Sequence, residues 1–200
     1  MASTKKNGAL FFSVAALLFL SALFLAQCDS SNGGSSSDEV AIILTQFDGI
    51  RIGTLDLERM VAIGEAALSE LSRFTNHESA EIRWGAVMSL GAIGRQLDTG
   101  EKTGPMIAKC MDDPDIWVRV TAAELCASSG FKEGLSALID AVDSDLKLRL
   151  SEPPSPIATQ AIMALKLYTG QDFIEEAHWR DWWDQNQDSL EWNPDNERFE

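Results

Sequence analysis

Histidine is close to absent from this 200-residue chain, which carries two, His77 and His178. A protein-built metal centre needs three or four converging ligands, so two separated histidines do not suggest one. Basic residues are also scarce. Lysine and arginine number 16 against 31 carboxylates, for a net charge of −15. That balance excludes a nucleic-acid surface, which needs a basic stripe. It also argues against a polybasic contact with a membrane. Acidity of this size describes a solvated surface and is compatible with a basic partner. Catalytic patterns are missing too. The chain has no Gly-x-Ser-x-Gly elbow, no phosphate-binding glycine loop and no Cys–His pairing at useful spacing.

Cysteine is limited to Cys28, Cys110 and Cys126. Cys110 sits just before the Asp112-Asp113-Pro114 turn, and Cys126 lies three helical turns after it. In antiparallel helices that spacing separates their Cα atoms by about 12 Å, beyond disulfide reach. Both are expected to be buried thiols that act as small apolar residues.

What the chain does have begins at its N-terminus. Lys5 and Lys6 precede an uncharged apolar run, Ala9–Ala26, which ends in Leu25-Ala26-Gln27-Cys28. A Ser/Gly-rich stretch follows through Ser37, polar and flexible in character. This order fits an export signal with a tether behind it. Leu25-Ala26-Gln27-Cys28 resembles the lipobox of bacterial lipoproteins, although Gln27 stands where that family usually has a small residue. The resemblance implies cleavage before Cys28 and its diacylation. The other reading is an uncleaved anchor, since 18 apolar residues reach the short edge of the ~17–25 that span a bilayer. Both readings place the body outside the cytoplasm, tethered to a membrane. Without residues 1–27, which hold Lys5 and Lys6 but no carboxylate, the charge becomes −17.

The body repeats itself. Ile82/Ala86/Leu90, Val118/Ala122/Cys126 and Ile157/Ala161/Leu165 recur 36 and 39 residues apart. A fixed period built on helical spacing predicts an α-solenoid of helical hairpins. The first helices of the hairpins are expected to end at Ile63, then to span Glu81–Ile93, Asp115–Ser128 and Pro156–Tyr168. Their partners are expected at Glu65–Phe74, near Thr103–Met111, at Lys132–Val142 and at Glu175–Asn186, with Gln96–Lys102 as a loop. Leu135, Leu138, Ile139 and Val142 form one apolar stripe. Gly64, Gly94, Gly130 and Gly170 are read as helix stops, and Ala86, Ala122 and Ala161 as points of close approach. Glu39–Gln46 reads as a capping helix, with a strand over Val40–Leu44 as the open alternative.

Asp113-Pro114-Asp115, followed by Val118-Arg119 and Ala122-Ala123, resembles the HEAT repeat, especially its short phycobilisome-lyase-like form. Glu81-Ile82-Arg83 with Ala86 and Leu90 is similar. The resemblance covers about Leu55–Asn186. It implies a right-handed stack with Arg83 and Arg119 bonding to turn aspartates along it. The fourth unit departs, with Ala158 in the Arg place and Pro153-Pro154 in the turn. His77-Glu78 resembles the metal-binding pairs of HEAT-repeat hydroxylases, but those enzymes need several such pairs. Here it reads as a turn residue with a helix-start carboxylate. Asp140, Asp143 and Asp145, followed by Lys147 and Arg149, read as a solvated turn rather than a calcium loop.

The densest unusual patch is Trp179, Trp182 and Trp183, three indoles on one helical face at i, i+3 and i+4. They are read as an aromatic cap on the last unit or as an interaction surface. Trp192, beyond the helix, is read as a ligand contact or as part of a tail folded back over the repeats.

The expected fold is therefore all-α: a short right-handed solenoid of about four HEAT-like hairpins, preceded by a signal or anchor helix and a linker. The expected division is a signal segment at 1–27, a linker at 28–38, a repeat domain at 39–188 and an acidic tail at 189–200. The expected function is a non-catalytic protein–protein interaction platform in the cell envelope, facing the periplasm or exterior. Its partner is a protein, and no cofactor or metal is implied. The binding side would carry Glu70, Lys109, Lys132 and Asp140. Two alternatives stand beside it, a lyase-like protein that handles a cofactor or chromophore and a self-associating structural protein.

Overall fold

The computed structural model describes residues 35–46, 54–146 and 156–200, with side chains for all of these but Thr54 and 143–146. Cys28, the signal segment 1–27, the Pro153-Pro154 break, Lys147 and Arg149 lie outside the described residues, as do the side chains of Asp143 and Asp145. Among the described residues, no helix is long and apolar enough to cross a membrane.

The described chain is predominantly helical. Helix α1 spans Ser36–Thr45. Ser35 Oγ accepts the Asp38 amide at 3.2 Å and Asp38 Oδ2 accepts the Ser35 amide at 3.2 Å, a reciprocal capping box. The helix therefore starts inside the stretch read as linker, and the strand alternative for Val40–Leu44 is overturned. Val40, Ile43 and Leu44 face the core at helical spacing.

Helix α2, Thr54–Ile63, stops at Gly64, whose φ of +66° suits a residue without Cβ. A 3-10 turn, Gly64–Ala67, leads into α3, Leu68–Phe74. Helix α4 is Ala80–Gln96, longer than expected. Gly94 does not stop it. The left-handed residue of that turn is Asp98, at φ +54°. Gly94 serves close approach instead, because a Cβ there would lie 2.3 Å from Thr103 Oγ1 on the next helix. That helix, α5, is Gly100–Ala108, so most of the expected loop at 96–102 is helical. A 3-10 turn, Lys109–Asp112, follows.

Asp115 caps α6, Ile116–Ser128, its Oδ1 accepting the amides of Trp117 at 2.9 Å and Val118 at 3.3 Å. Then come α7, Glu133–Leu146; α8, Pro156–Thr169; and α9, Glu176–Asn186. The acidic tail is ordered: β1, Trp192–Asn193, pairs antiparallel with β2, Arg198–Phe199, and Trp192 lies opposite Phe199.

Packing follows the order of the chain. Helices α2, α4, α6 and α8 contact one another in series, while α5 and α7 each pack against the helix before them, α3 packs on α4 and α9 packs on α7. Helix α6 is buried on both sides. Val118, Ala122 and Cys126 join an N-terminal core, and Val120, Ala123 and Ala127 join a C-terminal one. Its polar side chains link its neighbours. Thr121 Oγ1 accepts the Trp84 indole N–H at 2.8 Å, and Glu124 Oε2 accepts from Gln160 Nε2 at 2.7 Å. Ala86, Ala122 and Ala161 are fully buried. The closest approach to backbone among the described glycines, however, belongs to Gly134 of α7. A Cβ there would meet Ala123 O at 2.4 Å and Ala127 N at 2.6 Å, both backbone atoms of α6.

Candidate functional site

The site grows from the Asp112–Asp115 turn. Pro114 breaks the chain between α5 and α6, and Asp113 turns inward. Arg83, one repeat earlier, meets it with two parallel bonds, Nε to Oδ2 at 2.7 Å and Nη2 to Oδ1 at 2.8 Å. Such a fork-to-fork pair is the strong form of a carboxylate–guanidinium contact. Asp113 Oδ1 also accepts the Asp115 amide at 2.8 Å. Burial pushes the Asp113 carboxyl upward. The Arg83 hydrogen bonds, the Asp115 amide and the charges of Arg83 and Arg119 outweigh that and hold it below the usual carboxylate range. The bond to Asp113 raises Arg83 in turn, against the opposing pull of burial. Arg83 Nη1 also donates to the carbonyls of His77 and Glu78, and Arg119 Nη1 donates to those of Asp113 and Pro114. Each arginine thus closes the turn that precedes its own helix.

Beside this turn opens a cleft of about 890 Å³. One wall is a single face of α7: Glu133, Ser136, Ala137, Asp140 and Ala141, at i, i+3, i+4, i+7 and i+8. It is the side left over when Leu135, Leu138, Ile139 and Val142 turn into the core. The opposite rim is α9, through Trp183 and Gln187, and the near end carries Met111 and Asp112. Lys132 links the two sides, donating from Nζ to the Gln187 carbonyl at 2.7 Å. A lysine at a helix C-terminus also complements its negative end.

Four carboxylates line this cleft against two cations. Asp113 is bound to Arg83, and Asp140 is paired with Arg180 at 3.0 Å. Arg119 and Lys132 are turned onto main-chain carbonyls. Among the described residues, Asp112 and Glu133 are exposed and form no salt bridge. The cleft therefore carries two carboxylates outside any salt bridge and two cations held by carbonyls, over a floor of small side chains, with a half-buried indole opposite.

The expected residues are distributed unevenly around this cleft. Trp183 lines it; Trp179 and Trp182 do not. Trp179 is fully buried, edge-on to Phe173 and Trp182 at ring distances of 5.1 and 6.2 Å. Trp192 stacks edge-on with Phe199 at 5.1 Å and covers Gly130, where a Cβ would come within 2.8 Å of the indole. Lys132 and Asp140 line the cleft, and Lys109 is exposed outside it. Glu70 departs from expectation: its side chain is only 12 % exposed and binds Arg73. The sequence reading missed Asp112, Glu133, Ser136 and Met111. The polar face opposite the α7 apolar stripe could have found Glu133 and Ser136, whereas Met111 and Asp112 lie in the turn before α6, outside that pattern.

The histidine and cysteines that the sequence offers for chemistry are placed as follows. His77 stacks on Phe74, and its Nδ1 accepts the Ser79 amide at 3.1 Å, so it works within its own turn. Among the described residues no cluster of three or more His, Cys, Asp or Glu could hold a metal ion. Cys110 and Cys126 are free and buried, and burial raises their thiols to about 11 and about 12. At neutral pH neither supplies the thiolate that nucleophilic chemistry needs.

Compared with protein-family models, with curated proteins and with solved structures, the chain gives no match.

Proposed function

We propose that this chain is a HEAT-like α-solenoid lipoprotein, held at a membrane of the cell envelope by lipidated Cys28. In this reading it acts as a non-catalytic platform that takes a protein partner in the cleft between α7 and α9. The observation that carries the reading is the cleft itself. It lies where the second helices of neighbouring hairpins and the preceding turn converge, and its ion pairs hold the scaffold in place without consuming Asp112 or Glu133. The serial packing of α2, α4, α6 and α8 and the bond from Arg83 to the next turn support the repeat assignment. The aromatic core around Trp179 and the Trp192 hairpin suit a terminal cap, because the last unit of an array must shield its outer face.

The test is crosslinking capture from membranes with the full-length protein, using Cys28→Ala as the untethered control. One dominant envelope protein, captured by the tethered form alone, supports the platform. A co-purifying pigment or small molecule, with no enriched protein, overturns it in favour of the cofactor-handling alternative. That rival draws on the cleft volume, which falls in the ~300–1,000 Å³ range of small-molecule sites. Self-association draws on the exposed Met163, Leu167 and Ile174, and concentration-dependent light scattering separates it from the platform.

A further inference from the structure

We infer that the outward face of α8 binds a second copy of this chain, the two α8 helices lying antiparallel about a two-fold axis close to Met163. The inference goes beyond the platform reading and uses a different surface, since none of its residues lines the cleft.

The argument is one of register. At the repeat spacings of 36 and 39 residues, Trp84, Met88 and Gly91 on α4 correspond to Val120, Glu124 and Ala127 on α6 and to Thr159, Met163 and Lys166 on α8. On α4 this row meets α6. Trp84 donates to Thr121 at 2.8 Å, and a Cβ at Gly91 would lie 2.7 Å from the Leu125 side chain. On α6 the row meets α8. Glu124 accepts from Gln160 at 2.7 Å, and Val120 and Ala127 share a core with Ala161 and Leu165. On α8 the row stands open. Met163 is 41 % exposed, and Leu167, the counterpart of Ser128, is 51 % exposed. The last helix, α9, packs on α7 and leaves these two side chains bare. Helix α8 thus presents outward a row whose two counterparts are both helix–helix contacts.

Charge selects the occupant. Lys166 is the only charged residue of α8, and it pairs with Asp172 of its own chain. Every other described helix carries at least two charged residues. In a chain of net charge −15 most surfaces repel a second copy, whereas two α8 faces meet without setting unpaired like charges together. Loss of charge at the centre of a patch is also the compositional mark of an interface. The far end of the stack fits less well. Leu55 is exposed there, but Asp56, Glu58 and Arg59 stand on the same helix.

Geometry favours the two-fold arrangement. Antiparallel pairing sets Met163 on Met163 and Leu167 against Thr159, and it opposes the helix dipoles. The contact is self-complementary and closes at two copies, whereas contact of α8 with the α2 end of another chain would propagate. Light scattering should therefore level off at twice the chain mass. One helix face is smaller than the ~800 Å² per partner of lasting interfaces, so the pair is expected to depend on concentration.

The test is disulfide trapping of the full-length chain in intact cells. Helix axes ~8–10 Å apart bring facing Cα atoms to about 4–6 Å, within disulfide reach. Under mild oxidation Met163→Cys is expected to give a covalent dimer; Cys110 and Cys126 are buried and stay out of the reaction. Co-expressed Thr159→Cys and Leu167→Cys chains should crosslink to each other more than either does to itself. Leu167→Glu, added to Met163→Cys, should abolish the dimer by placing a carboxylate in the contact. Thr159→Glu repeats that test from the facing residue. Both positions are exposed, so the melting midpoint should match the parent. Glu58→Cys, on exposed α2 surface, should stay monomeric. No dimer from Met163→Cys, an equal yield from Glu58→Cys, or a dimer that survives both glutamates overturns the inference. So does preferential crosslinking of Met163→Cys to Leu55→Cys, or to a protein other than this chain. Each of these leaves the platform standing, because capture at the cleft is read separately.

Discussion

Removing the carboxylate of Asp113 should damage this protein far more than removing any surface charge. In Asp113→Ala the Arg83 guanidinium stays in a place where its side chain is 11 % exposed, without its bidentate partner. The Asp115 amide also loses its acceptor. Breaking a buried pair from one side costs about 3–5 kcal/mol, because the remaining charge has left water without compensation. For a domain of this size each kcal/mol moves the melting midpoint by about 2–4 °C, so a fall near ~10 °C is expected. An internal control is available. The Arg59–Glu39 pair spans 3.5 Å with both side chains about half exposed, and such pairs contribute about 0–1 kcal/mol. Arg59→Ala should therefore shift the midpoint by no more than a few degrees. Arg83→Met combined with Asp113→Ala should cost less than the two single changes added together. The carbonyls of His77 and Glu78 that Arg83 releases lie in a partly exposed turn that water can reach. Thermal and urea unfolding read by far-ultraviolet circular dichroism compare the parent with Asp113→Ala, Arg83→Met, the double variant and Arg59→Ala. Equal shifts for Asp113→Ala and Arg59→Ala would refute the reasoning.

The same pair fixes the sign of a pH effect. The folded-state pKa of Asp113 is depressed, so its contribution is present above the ordinary carboxylate pKa of ~3.9. It is lost as pH falls through the lower folded value. The stability gap between the parent and Asp113→Asn should be constant near neutrality and should close only on the acid side of about pH 4.

Three further changes probe the scaffold. Gly134→Ala sets a Cβ against Ala123 O and Ala127 N of α6. Because backbone cannot step aside, a loss at or above the ~1–3 kcal/mol of ordinary overpacking is expected; an unchanged urea midpoint would contradict it. Asp115→Ala removes the acceptor of two α6 amides and should cost about 1 kcal/mol in the same urea assay. Trp192→Ala should release the hairpin locally. Hydrogen exchange should then quicken at the Glu191 and Glu200 amides, which bond to each other's residues at 3.0 and 2.9 Å, while α6 and α7 keep their protection.

The sequence exposed what is periodic and hid what is steric. Helical spacing at Ile82/Ala86/Leu90 and its two echoes located α4, α6 and α8, because burial of one face leaves a mark every three to four residues. Pro114 between aspartates marked the α6 start for the same reason, since capping chemistry is local. Gly94 and Gly134 were not legible. A glycine that stops a helix and one that admits a neighbouring helix look alike in sequence, and only the crossing at 2.3 Å to Thr103 distinguishes Gly94. The Ser35–Asp38 capping box was hidden by the low-complexity stretch around it. The cleft was half legible. Lys132 and Asp140 were named from the exposed side of the second helices. Asp112, Glu133 and Trp183 come together there only through the turn and α9, which no single-helix pattern encodes.

The ladder and the cleft are one arrangement seen from two sides. A repeat needs its turns tied to the helices beside them, and arginines do that best because one guanidinium reaches a carboxylate and two carbonyls at once. Arg83 does so for the turns at His77 and Asp113, and Arg119 for the turn at Pro114. Lys132 ties the α6–α7 connection to the end of α9. These bonds to neutral carbonyls fix where Arg119 and Lys132 stand without removing their charge, so both cations remain in the cleft lining beside Asp112 and Glu133. Any change that freed Arg119 or Lys132 from its carbonyls would weaken the scaffold that shapes the cleft.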